Sequence, residues 1–145
     1  MSTPLAHLEP RELWKAFEEL NAVPRPSKRE DQVQAFAVAV GERLGLPTAK
    51  DSVGNVRITK PASPGMEHAP TVVIQAHLDM VCQKNDGTEH DFDTQGIEMY
   101  VEDGWVKAKG TTLGADNGIG VAMAIAVLRS ETMVHPPIEI GRAHV

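Results

Sequence analysis

Three residues carry the chemistry of this sequence: His77 and Asp79, two positions apart, and Asp116, much further along the chain. His77 and Asp79 stand just past an apolar run, Thr71-Val72-Val73-Ile74, that reads as a strand. Residues at i and i+2 of an extended chain point to the same side, and ligands collect beyond the carboxyl ends of strands in open α/β sheets. His77 can therefore offer a ring nitrogen to a metal ion. Asp79, on the same side, can fix its tautomer and raise its basicity, through a bond to the ring or through a further group. A polar strand end facing water is the competing reading. Asp116 lies in Gly114-Ala115-Asp116-Asn117-Gly118, directly before a helical stretch. The glycines permit tight or left-handed turns, and a carboxylate presented there can bridge two divalent ions. The same position also suits a helix cap, by Asp116 or by Asn117.

Other candidates weigh less. Lys109-Gly110-Thr111-Thr112-Leu113-Gly114 lacks the Gly-Lys-Ser/Thr ending of a phosphate loop, and the glycines from Gly114 to Gly118 do not make a dinucleotide fingerprint. His135, ahead of Pro136-Pro137, reads as a surface histidine at a strand approach. Cys82 has no second thiol beside it and reads as a buried or incidental cysteine rather than a nucleophile.

The elements that must position these residues are legible from periodicity and punctuation. Leu13, Phe17 and Leu20 mark one face of a helix over Arg11–Ala22, stopped by Pro24 and Pro26. Ser27 and Glu30 have the spacing of a capping box, opening a second helix whose buried stripe is Val33, Phe36, Val40 and Leu44, with Gly45 at its exit. Thr48–Asp51 and Asn55–Thr59 flank a hairpin turn at Ser52-Val53-Gly54. Residues 60–70 read as a surface loop. The continuous apolar run at Thr71–Ile74 predicts a strand buried on both faces. A polar loop spans 83–96, and Asp103-Gly104 joins Ile97–Val101 to Trp105–Ala108 in a second hairpin. Ile119–Arg129, apolar and rich in small residues, predicts a helix packed closely on a sheet. Together these give an α/β class with a mixed central sheet, flanking helices and β-hairpins.

Composition bounds the function. The 145 residues suffice for one domain with a core, and 41% apolar content is that of an ordinary globular chain. A net charge of −6 without a basic stripe argues against nucleic acid. No run approaches the ~20 apolar residues of a membrane span. The single cysteine fits a reducing compartment, and MSTPLAHLEPREL does not read as a signal peptide, so the expected location is cytoplasmic.

Several stretches resemble the dinuclear zinc metallopeptidase family that includes the aminoacyl-histidine (Xaa-His) dipeptidases. They are Val73-Ile74-Gln75-Ala76-His77-Leu78-Asp79-Met80-Val81, Gln83-Lys84-Asn85, His90-Asp91-Phe92, and the run from Trp105 through Gly114-Ala115-Asp116-Asn117-Gly118-Ile119-Gly120. The resemblance extends from about Leu8 to Glu139. Gly-Ala-Asp-Asn-Gly is the dipeptidase form of the motif; related tripeptidases tend to carry a second Asp. The resemblance implies an incomplete zinc-peptidase-like catalytic domain over residues 1–139. It implies His77 as a ligand of one zinc, Asp116 as the carboxylate bridging two zincs, and Asp79 as a catalytic acid that supports the His77 side of the site. Cobalt or manganese can replace zinc in such sites. The implied reaction is hydrolysis of dipeptides such as carnosine by water acting with the metal and a glutamate base, in a protein that can form homodimers. Family members are several times longer, with the base, further ligands and a second domain beyond the equivalent of Glu139, so this chain alone is expected to be inactive. The segment 140–145, Ile-Gly-Arg-Ala-His-Val, reads as a non-native tail. A related deacylase or carboxypeptidase, or a non-catalytic binding domain, are the competing functions.

Overall fold

Helix α1, Arg11–Asn21, forms where the Leu13–Phe17–Leu20 spacing predicts it and buries Ala16, Phe17, Leu20 and Asn21. The computed structural model describes residues 4–141. Helix α2, Asp31–Arg43, follows, then the hairpin of β1 (Thr48–Lys50) and β2 (Val56–Lys60). Strand β3 is Val72–Gln75; β4 (Met99–Glu102) and β5 (Trp105–Ala108) form the second hairpin; helix α3 is Ala115–Arg129; strand β6 is Ile138–Gly141.

The main sheet has the order β1-β2-β6-β3. Its first two pairings are antiparallel and the β3–β6 pairing is parallel, so the sheet is mixed, as expected. A parallel pair needs a long crossover; here it contains the β4–β5 hairpin and then α3. Asp103 and Gly104 both have positive φ, 53° and 77°, the twist that closes a two-residue hairpin.

Helix α3 is apolar nearly all round and buries Gly118, Val121, Ala122, Ala124, Ile125 and Leu128. Its small side chains let α1 approach closely, and its Val121, Ile125 and Leu128 share one core cluster with Val56 and Ile58 of β2. Phe17 and Leu20 of α1, Val33 and Val40 of α2, Val56 and Ile58 of β2, and Leu78 complete the core. Burying each large apolar side chain is worth about 1.5–3 kcal/mol. Lys60 holds the far end of α3: Nζ donates to the carbonyls of Val127 (2.9 Å), Leu128 (3.1 Å) and Ser130 (2.6 Å). That cation meets both the orphan carbonyls and the negative pole of the helix.

Three expectations need correction. The Ser27–Glu30 capping box does not form: Glu30 is the N-cap of α2 without a side-chain cap bond, and the Ser27 hydroxyl turns instead to Asp79 and Met80. Strand β3 is not buried on both faces. Among the described residues it ends the sheet and pairs only with β6, leaving Val72 46% and Val73 65% exposed. His135 is not a surface residue but 6% exposed, fixed by Ser63, whose Oγ accepts from its N–H (3.0 Å) and whose N–H donates to its carbonyl (2.9 Å). Of the segment 140–145, Ile140 and Gly141 lie in β6, opposite Ile58 and Arg57 of β2, while 142–145 fall outside the described residues. Among the described residues, no helix is long and apolar enough to cross a membrane.

Candidate metal centre

His77 leaves the carboxyl end of β3 two residues after Gln75, and Ala76 still pairs with the sheet through Gly141 (3.1 Å). The alternation continues past the strand: Leu78 enters the core at 4% exposure, while His77 and Asp79 face outward together. Nδ1 of His77 lies 3.1 Å from Oδ1 of Asp79 and 3.1 Å from the Asp79 carbonyl. Nε2 lies 3.0 Å from Oδ1 of Asp116. The imidazole thus spans two carboxylates, one at each nitrogen.

Asp116 reaches this position because the start of α3 is not helical. Gly114 has φ 72° and ψ 28°, and Asp116 is extended at φ −95°, ψ 105°. The loop throws the carboxylate outward, 98% exposed, and the helix winds regularly only beyond Asn117. The N-cap position falls on Gly114, which has no side chain to cap with, and the Asp116 carboxylate meets His77 instead.

Carboxylates accept and cannot donate, so both ring nitrogens are best satisfied when each carries a proton. Partial burial pulls the His77 pKa down, but the bonds to Asp116 and Asp79 and the charge of Asp79 outweigh it and leave the imidazole above its ordinary value. Burial pushes Asp79 up; the Ser27 hydrogen bond, with the charge and bond of His77, outweighs that and leaves it below the usual carboxylate range. Ser27 Oγ donates to Oδ2 of Asp79 at 2.5 Å, so each Asp79 oxygen has a partner and the carboxylate cannot swing away from the ring.

The donor set suits a divalent ion. Two donors about 2.0–2.1 Å from one tetrahedral zinc are separated by roughly 3.3 Å; Nε2 of His77 and Oδ1 of Asp116 stand 3.0 Å apart. Asp79 lies on the opposite ring nitrogen. Among the described residues, no group of three or more His, Cys, Asp or Glu side chains converges where it could hold an ion.

Of the remaining candidates, none joins this cluster. His135 Nδ1 contacts the Pro136 carbonyl at 2.8 Å. Cys82 is half-buried, with Sγ 3.7 Å from the Met80 carbonyl, and burial raises its thiol pKa. Lys109 pairs with Glu98 rather than lining an anion cradle. Sequence reasoning missed Ser27, Arg25 and Asn21. The signal was present in Pro24-Arg25-Pro26-Ser27, where two prolines stiffen a segment that the structure lays beside Leu78–Met80.

No family model matches the chain. In sequence, it is 49% identical over 136 residues to the cytosol non-specific dipeptidase of Escherichia coli, a match covering 94% of this chain and 28% of that protein. In structure, it superposes on the aminoacylhistidine dipeptidase of Vibrio alginolyticus with a TM-score of 0.92 and 47% identity, over 95% of this chain and 28% of that one. A Staphylococcus aureus tripeptidase shares the fold at a TM-score of 0.72 and 21% identity, over 91% of this chain and 35% of that one. Over nearly its whole length, then, this chain is similar in sequence and in fold to a little over a quarter of a dipeptidase, and His77, Asp79 and Asp116 meet within that shared part.

Proposed function

We propose that this chain is the part of a metal-dependent dipeptidase in which His77 and Asp116 are metal ligands and Asp79 is the orienting carboxylate. The observation that carries the reading is the His77 ring itself: one nitrogen is engaged by a supporting carboxylate, the other faces a second carboxylate at ligand spacing. That is the arrangement in which a histidine is held in one tautomer for a metal. Zinc is the ion proposed, two per whole protein, with cobalt or manganese as substitutes for the same nitrogen and oxygen donors.

When bound, such ions supply Lewis acidity toward a peptide carbonyl and acidify water. The chain's own residues would orient two of the donors. Asp79 keeps a proton on Nδ1, so that Nε2 is the nitrogen left to coordinate. Ser27 keeps Asp79 aligned. Asp116, exposed and held off the helix, can share its two oxygens between ions. His77 and Asp116 provide two donors where a zinc site uses about four, so the 145-residue chain by itself is proposed to be catalytically inactive, and the activity belongs to a whole protein carrying this segment.

The substrate class proposed is dipeptides, Xaa-His among them, on the likeness to proteins named as a non-specific dipeptidase and an aminoacylhistidine dipeptidase. Cytoplasmic location is proposed on the single cysteine and on the cytosolic name of the Escherichia coli relative. The test uses the whole protein with a panel of Xaa-His and other dipeptides, before and after chelation. Hydrolysis should stop on chelation, return with zinc, and be absent in His77→Ala. Full hydrolysis by His77→Ala would overturn the reading.

A further inference from the structure

Beneath the candidate ligands lies a buried cation that sequence and chemistry leave unassigned. Arg25 is 2% exposed and among the largest fully buried side chains of the described residues. Its Nη1 donates to the carbonyls of Leu78 (3.1 Å) and Asp79 (3.4 Å), within the segment that presents His77. Its Nη2 donates to the carbonyl of Gly114 (2.7 Å), within the loop that presents Asp116, and to Oδ1 of Asn21 (2.6 Å). The Arg25 main chain joins in, its carbonyl accepting from the Met80 N–H at 2.9 Å. Asn21 in turn donates from Nδ2 to the Leu113 carbonyl at 3.1 Å, tying α1 to the same loop.

The loop is closed down on this guanidinium. A Cβ on Gly114 would stand 2.3 Å from Nη2 and one on Gly118 would stand 2.8 Å from it. Burying a cation is costly, and here the cost is visible in an Arg25 pKa lowered to about 10, chiefly by desolvation. An apolar side chain of similar volume would leave the three carbonyls and the Asn21 amide oxygen without their donor, so packing alone does not meet the need. A planar fork that reaches two backbone segments at once does.

We propose that Arg25 is a positioning residue that sets the distance between the His77 segment and the Asp116 loop. It touches neither candidate ligand side chain and acts by fixing the backbones that carry them. The proposal rests on the metal-site reading above, and its test separates the two.

The experiment uses the whole protein carrying this segment, isotope-labelled at histidine and aspartate, and two readouts by NMR: the metal-free nuclear Overhauser contact between the His77 ring and the Asp116 Hβ protons, and line broadening by Mn²⁺ at both residues. Arg25→Lys keeps the charge but loses the fork. It should preserve the amide spectrum outside the two loops and weaken the ring contact. It should also raise the Mn²⁺ concentration for half-broadening about 10-fold or more, the scale of lost supporting contacts at metal sites. Should Arg25→Lys fail to fold, Asn21→Ala, which frees Nη2 of its side-chain partner, is read the same way. His77→Ala and Asp116→Ala serve as controls. If both controls abolish joint broadening while Arg25→Lys leaves the two readouts unchanged, the positioning role is wrong and the metal reading stands. If the controls leave broadening untouched, the metal reading fails, and Arg25 is judged on the metal-free contact alone.

Discussion

Nε2 of His77 and Oδ1 of Asp116 lie 3.0 Å apart, although 39 positions separate the two residues in the chain. Neither is buried enough for packing to force the meeting: His77 is 41% exposed and Asp116 is 98% exposed. The backbones beneath them bring it about, β3 delivering one and the left-handed Gly114 turn the other.

The support of His77 can be measured through metal affinity. Asp79→Asn keeps the shape but weakens the acceptor for Nδ1–H and removes the charge. In the whole protein, zinc affinity should fall by about 10- to 100-fold, read by competition with a chelating dye. Affinity within twofold of the parent would leave Asp79 without a role at the ring.

Stability of the metal-free chain should depend on pH through the same pair. His77 has its pKa raised in the fold, so its contribution is full below about 6.5 and is lost as pH rises through the higher folded value. Asp79 has its pKa lowered, so its contribution is full above about 3.9 and is lost as pH falls through the lower folded value. Both are therefore in force between roughly pH 4 and 6.5. Urea midpoints from pH 5 to 9 should decline on the alkaline side, and the decline should be shallower in His77→Gln. Equal slopes in the two proteins would contradict the pairing.

Lys60 offers a test remote from the site. Lys60→Met keeps the aliphatic stem and leaves three carbonyls at the end of α3 without their cation. The expected loss is about 1–2 kcal/mol, since hydrogen bonds to charged groups are among the stronger ones and this one is partly solvated. Equilibrium urea unfolding would register it, and Lys60→Arg should recover part of it.

Gly114→Ala combines two penalties. At φ 72° an alanine adopts a left-handed conformation at a cost of about 1–2 kcal/mol, and its methyl would meet the Arg25 guanidinium at 2.3 Å. Urea unfolding should show a loss beyond the conformational figure. Asn at the same position, which tolerates that conformation better, meets the same obstruction and should not rescue the protein.

Much of this architecture was legible in the residues because it follows from local rules. Leu13, Phe17 and Leu20 mark a helix face by spacing alone, and Asp103-Gly104 names its own turn. His77 and Asp79 fall on one side because strands alternate, and the glycines around Asp116 announce an irregular loop. What stayed hidden depends on distant contacts. Ser27 has the local spacing of a cap, but Asp79, 52 residues on, makes the stronger claim on its hydroxyl. An arginine reads as a surface group until three carbonyls and an asparagine are seen to surround it. An apolar run such as Val72-Val73 does not reveal whether its strand lies mid-sheet or at the end. His135 reads as exposed because nothing near it in the chain foretells the Ser63 loop.

The contrast in depth between Asp116 and Arg25 bears on how reagents would see the folded chain. A carbodiimide or an imidazole-modifying ester can reach Asp116 and His77 from bulk water without any part of the fold opening. A dicarbonyl aimed at guanidinium groups has no comparable path to Arg25 and must wait for the molecule to breathe. Labelling kinetics at the two depths would therefore separate surface encounter from the opening of the frame.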